Sequence, residues 1–214
     1  MVRIATLACL ATFATGGMLQ AETAFDLVFR TGTLDGLAEG TEIHYQGEGP
    51  ASADAEGEWG RVVVDIGPDE RAHVVERGAE GAAPARDFGT FDASVGNPLA
   101  MVFLEETVQT ISAATGGSPY YIRNRIRDAL GKPGDVEAVT VDWDGAEVTA
   151  TEIIIQPFEN DARREELGKF VDLEIRAVVS EAVPGWYHSI GAKAPATSPA
   201  DAFRTSLSLA ELAQ

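Results

Sequence analysis

The chain has 214 residues and carries 16 basic against 34 acidic side chains, a formal net charge of −18 at pH 7. Nucleic acids and anionic membrane surfaces would repel so acidic a protein, which argues against both as partners. The only cysteine is Cys9, so the chain has no pair of thiols for an internal disulfide or a thiolate metal site.

The first 21 residues have the three parts of a secretory signal peptide. Arg3 supplies the basic start, the stretch from Ile4 to Phe13 is apolar apart from two threonines, and two glycines and a final Ala21 form the exit. The apolar stretch is shorter than the roughly 20 residues of a membrane-spanning helix, so we expect no stable membrane insertion after cleavage. Too little apolar sequence precedes Cys9 for a lipoprotein signal. We therefore expect cleavage after Ala21 and a periplasmic or secreted protein.

Residues 22–214 would remain after that cleavage. Because Arg3 is the only charged residue removed, these 193 of the 214 residues carry 15 basic and 34 acidic side chains, a net charge of −19, and no cysteine. The acidic surface either attracts cations and basic proteins or only keeps the protein soluble. The length suits one domain, and we expect a single α+β domain.

Strand patterns occupy residues 41–92. They are short, rich in β-branched and aromatic residues, and separated by glycine, proline and aspartate, which predicts an antiparallel meander. The predicted strands are Thr41–Gly47, Gly60–Ile66 and Arg71–Arg77, with Phe88 and Phe91 closing the region. The small and acidic residues of Ala51–Glu58 predict an exposed loop.

Two helices are predicted over residues 97–131. Asn97 and Pro98 have the types expected at a helix start, and the apolar pattern runs to a pair of glycines at 116 and 117. Ser118 and Pro119 repeat the start signal, and the second helix ends at Gly131. We expect a central helical hairpin packed on the sheet, with its first helix buried on two sides because its polar side is narrow.

Strand patterns resume over residues 136–209. Asp144-Gly145 between two alternating runs is a strong hairpin signal. The predicted elements are the strands Val136–Trp143, Ala146–Ile155, Phe170–Ser180, Trp186–Ala194 and Phe203–Leu209, with a short surface helix at Asn160–Lys169. The sequence therefore predicts an α+β fold of mainly antiparallel sheet with a central helical hairpin packed on it.

No sequence motif identifies a catalytic residue, a cofactor or a metal site. The chain lacks a GxSxG elbow, an HExxH pair, a CxxC pair and a P-loop. His44, His73 and His188 fall on three separate predicted strands, and their spacing does not pair them on a metal. Asp142, Asp144 and Glu147 resemble part of a calcium loop, but a plain Asp-Gly turn explains them as well.

The second predicted helix contains an arginine cluster, which is unexpected in so acidic a chain. Arg123 and Arg127 share one flank of its apolar stripe with Tyr120, while Arg125 lies on the other flank. These arginines either cover apolar surface and pair with nearby carboxylates or bind an anionic group. Glu106 falls in the arc of the first helix that we expect to be buried, so we predict that it pairs with Arg123 or Arg127.

These patterns favour a non-enzymatic periplasmic protein that binds a small or lipid-like ligand, or another envelope protein, between its sheet and helical hairpin. Tyr120, Arg123, Arg127 and Glu106 are the predicted ligand-binding residues. A hydrolase without a recognisable local motif and a structural or assembly component of the cell envelope are the alternatives. A ligand pocket and an ordinary core have the same apolar pattern, so the sequence does not separate these classes.

The signal-peptide pattern generates the first testable prediction. The natively expressed protein should begin at Glu22 and appear in the periplasmic or secreted fraction, because residues 1–21 have the basic start, apolar centre and small-residue exit of an export signal. N-terminal sequencing after cell fractionation measures both properties. A chain that still begins at Met1 in the cytoplasm would contradict the prediction.

Overall fold

The computed structural model describes residues 22–50, 59–78, 84–195 and 202–214. The predicted signal peptide at residues 1–21 and the predicted loop at Ala51–Glu58 lie outside these ranges. Within them, no helix combines the length and the apolar character needed to cross a membrane.

The secondary structure is α+β and dominated by strands, as the sequence predicts. The helices are α1 (Ala24–Val28), α2 (Leu99–Thr115) and α3 (Pro119–Leu130), with 3-10 helices at Ala93–Val95 and Arg164–Asp172. The strands are β1 (Glu42–Glu48), β2 (Arg61–Gly67), β3 (Arg71–Arg77), β4 (Pro84–Asp92), β5 (Asp135–Trp143), β6 (Ala146–Ile155), β7 (Glu174–Val179), β8 (Tyr187–Ala194) and β9 (Phe203–Ala213).

The nine strands form one antiparallel sheet in the order β4-β3-β2-β1-β9-β8-β7-β6-β5. The first four strands run from the middle of the sheet to one edge. Then α2 and α3 connect that edge to β5 at the opposite edge, and β5 to β9 return to the middle. There β9 pairs with β1, with a register shift between His44 and Tyr45. The first and last strands therefore hold the two halves of the sheet together.

Local patterns predict the strand positions well, with one exception. The bounds of β3 and β6 are as predicted, and Asp144 and Gly145 have φ values of 53° and 76°, as a two-residue hairpin turn of type I′ requires. The strand predicted from Phe170 begins only at Glu174, because residues up to Asp172 belong to a 3-10 helix. Phe170 is buried there, and the alternation of Leu173, Ile175 and Ala177 with polar residues begins only after it.

The helix predictions for residues 97–131 are confirmed in position. Helix α2 ends at Gly116, which has a φ of 70° in the left-handed region that glycine adopts without a Cβ penalty. Helix α3 starts with Pro119 in its first turn and ends before Gly131. The short helix α1 has no counterpart in the prediction; Thr23 and Asp26 form a capping box at its start.

Most buried apolar side chains of the described residues form one cluster, with members from the sheet, from all three α-helices and from the 3-10 helix at Arg164–Asp172. A cavity among these side chains measures only about 10 Å³, at the lower limit of the about 10–15 Å³ that a single water molecule needs. Its lining comprises Val28, Leu104, Leu130, Ile153, Ile155, Ile175, Ala177 and Ile190. The apolar space between Leu104 on α2, Leu130 on α3 and these strands is therefore filled by side chains.

Asn97 is a buried polar residue that connects distant parts of the chain. Its Oδ1 accepts the backbone N–H of Leu99, the first residue of α2, at 3.0 Å, while the N-cap position itself is Pro98, one residue later than the sequence predicts. Its Nδ2 donates to the Tyr45 hydroxyl at 3.0 Å and to the Gly185 carbonyl at 2.8 Å, and its backbone N–H donates to Thr33 Oγ1 at 2.8 Å. A Cβ on Gly185 would lie 2.9 Å from Asn97 Nδ2, so this contact requires glycine.

Removal of the Asn97 amide should destabilise the protein strongly. Asn97→Ala leaves buried groups of Tyr45 and Gly185 without their donor, and an unpartnered buried polar group costs about 1–3 kcal/mol. We expect the free energy of unfolding to fall by at least about 2 kcal/mol in denaturant titrations. The exposed Asn124 of α3 provides the control: Asn124→Ala should change it by less than about 0.5 kcal/mol. Equal effects of the two substitutions would contradict this role of Asn97.

Candidate functional site

The three histidines have separate surroundings. His44 is buried, with Nε2 2.8 Å from Glu42 and Nδ1 3.2 Å from Glu211. His73 contacts Asp87 at 2.9 Å, and Nδ1 of His188 is buried without a hydrogen-bond partner among the described residues. In the same part of the chain, no group of three or more His, Cys, Asp or Glu side chains is arranged to hold a metal ion.

The predicted ligand-binding residues of α3 lie on its exposed side. Arg123 binds Glu105 of α2 through Nε at 3.0 Å and Nη2 at 2.7 Å, and its guanidinium carbon lies 5.5 Å from the centre of the Tyr120 ring. Tyr120 is 75% exposed. Arg127 is also exposed, with Asp128 at 4.0 Å. The structure therefore joins Tyr120 and Arg123, while Arg127 lies near Asp128.

Glu106 does not pair with an arginine of the second helix, so that prediction is wrong. Its Oε2 instead accepts a hydrogen bond from Nη1 of Arg86 on β4 at 2.6 Å. Neighbouring residues of a helix are about 100° apart, so Glu105 takes the direction toward Arg123 and Glu106 points elsewhere. Arg86 also donates through Nε to Glu76 at 2.6 Å, and the guanidinium lies over the Trp59 ring, 4.8 Å from its centre.

A polar cleft lies where the end of α3 meets the start of β5 and the segment after β6. Its volume is about 190 Å³. Apolar parts of Ala129, Pro133, Ile154 and Pro157 contribute to its walls. Its charged lining residues are Arg125, Asp128, Lys132, Asp135, Glu159 and Asp161. We call this site the α3 cleft.

Asp161 is the most buried charged residue of the α3 cleft, at 8% exposure. Its Oδ1 accepts a hydrogen bond from the Tyr121 hydroxyl and another from the backbone N–H of Arg163 at 2.6 Å. The guanidinium groups of Arg125 and Arg163 lie 5.5 and 5.1 Å from the centre of the Tyr121 ring. Partial burial and the hydrogen bond to Asp161 raise the pKa of Tyr121, which keeps its hydroxyl a donor.

Two buried polar atoms of the cleft residues have no hydrogen-bond partner among the described residues. They are Oδ2 of Asp161, an acceptor, and Nε of Arg125, a donor. Buried polar groups in folded proteins are nearly always hydrogen-bonded, so each such exception needs an explanation. Both atoms are enclosed by the protein, so they belong to the interior of the fold and not to the open surface of the cleft.

Sequence patterns did not identify this site. Asp161 lies in the charged segment predicted as the surface helix Asn160–Lys169, and no local feature shows that it is buried. Its contact with Tyr121 spans 40 residues. Asp161 and the backbone N–H of Arg163 form an Asx turn, a contact that does not distinguish a binding residue from an ordinary surface turn.

Comparison of the chain with protein-family models and with curated proteins finds no match. The function of this protein is therefore inferred from the geometry of the described residues.

Glu105 and Glu106 are neighbours with opposite pKa shifts, which gives a matched test of the two contacts. The hydrogen bond from Arg123 is the main reason that the pKa of Glu105 lies below its usual value of 4.5. Burial raises the pKa of Glu106 above that value, and the charge of Arg86 only partly opposes the effect.

The two substitutions should therefore change stability with opposite dependence on pH. A carboxyl group whose pKa is raised in the folded state contributes stability at low pH, and this contribution is lost as the pH rises through that pKa. A carboxyl group whose pKa is lowered contributes stability at higher pH, and this contribution is lost as the pH falls. We expect the free energy of unfolding of the wild type, minus that of Glu106→Gln, to decrease from pH 4 to pH 7. The corresponding difference for Glu105→Gln should increase. Parallel slopes in denaturant titrations would contradict these assignments.

Proposed function

We propose that this protein is an exported, non-enzymatic binding protein of the periplasm or the secreted fraction, and that the α3 cleft holds a small polar ligand. The observation that carries the proposal is the cleft itself, whose lining combines four carboxylates and two cations with apolar walls. The cleft volume of about 190 Å³ suits a small ligand.

We place the ligand in the cleft rather than between the helices and the sheet. We infer that α2 and α3 form a helical hairpin packed on the sheet, because Leu104 and Leu130 share their surroundings with Ile153, Ile175 and Ile190. The cavity among them measures about 10 Å³, which leaves no room for a lipid-like ligand. A role in the envelope, if the protein has one, would use its outer surface.

The four residues predicted from the sequence, Tyr120, Arg123, Arg127 and Glu106, remain proposed ligand contacts, secondary to the residues that line the cleft. Tyr120 and Arg123 are accessible on α3, and Arg127 contacts Asp128, which lines the cleft. Glu106 lies in a different environment, against Arg86. Measuring the copurified ligand of Arg123→Gln and Arg127→Gln variants by native mass spectrometry shows whether these residues contribute to ligand binding.

A copurifying ligand tests the proposed function. Native mass spectrometry of protein isolated from its natural compartment should show an additional small mass, which Asp161→Asn should remove because the cleft loses its buried charge. Asp172→Asn is the matched control: Asp172 is exposed, pairs with Arg164 and lies outside the cleft, so the ligand should be retained. Ligand retained in Asp161→Asn would place it elsewhere. A stable complex with envelope proteins and no small ligand would favour an assembly component instead.

A further inference from the structure

We infer that β5, at one edge of the sheet, is the interface of a symmetric dimer in which a second copy of this chain adds its own β5 antiparallel to the first. The inference goes beyond the proposed function and does not depend on it, because β5 meets the α3 cleft only at Asp135. Three observations support it: the regular, open edge of β5, the order of residues along this strand, and the apolar face beside it.

The edge of β5 is long and regular. All nine of its residues pair with β6 without a register shift. No described segment forms backbone hydrogen bonds with the other side of β5. The opposite edge of the sheet differs, because β4 contains Gly89 with a φ of 99° and its pairing with β3 has two register shifts. Such irregularities protect an edge, whereas an edge as regular as that of β5 is a template for another strand.

The turn at Asp144 and Gly145 determines which backbone groups of β5 face outward. Trp143 and Ala146 flank this two-residue turn, so they form a hydrogen-bonded pair, and every second residue back along β5 bonds to β6 in the same way. The residues between them therefore turn their N–H and C=O groups toward the open edge. These outward-facing residues are Val136, Ala138, Thr140 and Asp142.

Antiparallel pairing about a two-fold axis at Val139 gives every outward-facing residue a partner. It places Ala138 opposite Thr140 of the second copy. Val136 then lies opposite Asp142 of that copy, and each such pair exchanges two backbone hydrogen bonds. An axis moved by one residue, to Ala138 or Thr140, would place one of the outward-facing residues opposite a residue outside β5. The backbone of β5 therefore favours the register centred on Val139.

The side chains of β5 agree with this register. Its carboxylates would lie opposite apolar residues of the second copy, Asp135 opposite Trp143, Glu137 opposite Val141 and Asp142 opposite Val136. No carboxylate of β5 would lie directly opposite another, a contact that destabilises a strand pair. The strand is therefore complementary to itself, as a two-fold symmetric interface requires.

An apolar face beside the edge favours the same partner. Its residues alternate to the side of the sheet opposite to the core residue Ile153 and are partly exposed in the single chain; they are Val139, Val141 and Trp143 of β5 and Val148 of β6. In the dimer, Val139 lies opposite Val139 of the second copy and diagonal to its Val141, so the two apolar faces join. Burial of this apolar surface adds to the backbone hydrogen bonds.

Sedimentation equilibrium over a range of protein concentrations measures the dimer. The unmodified chain should reach twice its monomer mass. Thr140→Pro removes an outward-facing N–H from each copy but keeps the bonds to β6, so it should raise the dissociation constant at least about tenfold. Thr140→Ser keeps that N–H and should change the constant by less than about twofold.

Disulfide formation tests the register. In a Cys9→Ser background, Val139→Cys introduces the only thiol of the chain. The two thiols of a dimer would then face each other in a non-hydrogen-bonded pair with Cα atoms about 4.5 Å apart, which suits a disulfide, so mild oxidation should link most chains. Val141→Cys is the matched control on the same face: its two copies lie four residues apart along the strands, roughly 13 Å, and should not link.

The dependence on salt separates a second copy from a basic partner. Each chain has a net charge of −18, so screening by salt should tighten the dimer, whereas it would weaken the binding of a basic strand. A chain that stays monomeric, a dimer that weakens with salt or a dimer that survives Thr140→Pro would overturn the inference. Equal crosslinking of Val139→Cys and Val141→Cys would do the same. If Thr140→Pro does not fold, the two cysteine variants still decide the matter.

Discussion

The buried amide of Asn97 is the contact on which the arrangement of this fold depends. It joins the start of α2 to Tyr45 on β1 and to the turn at Gly185 before β8, and its backbone N–H holds Thr33. These segments are 52 to 88 residues from Asn97 in the sequence, and only an amide supplies donors and an acceptor together. The long connection between the two sheet edges thus starts from one fixed point at the centre of the sheet.

The turn beside Asn97 is held equally firmly by the N-terminal segment. Trp186 has a φ of 79°, a conformation that costs a non-glycine residue of order 1–3 kcal/mol and persists only when surrounding contacts impose it. Its indole N–H donates to the Leu27 carbonyl at 2.9 Å, and the Tyr187 hydroxyl donates to Val28. Burial raises the pKa of Tyr187. The short helix α1 is therefore a structural part of the fold, although nothing in its sequence predicts that role.

The sequence predicts what local chemistry determines and little of what long-range contacts determine. Strands β3 and β6 follow from alternation and the turn at Asp144 from its Asp-Gly pair, because these depend on residues only a few positions apart. The partner of Glu106 does not follow in this way. Helical projection places Glu106 in a buried arc, and its side chain is in fact partly buried, but the choice between Arg123 and Arg86 depends on where β4 lies in the sheet. The candidate cleft depends on the same kind of information.

The α3 cleft would also couple ligand binding to stability. Burial of Asp161 Oδ2 without a hydrogen-bond partner among the described residues costs about 1–3 kcal/mol, and this cost lies within the fold itself. The cleft needs α3 and the segment after β6 together, so it exists only in the folded state. On the proposed function, a ligand would therefore bind the folded state alone and stabilise it by mass action.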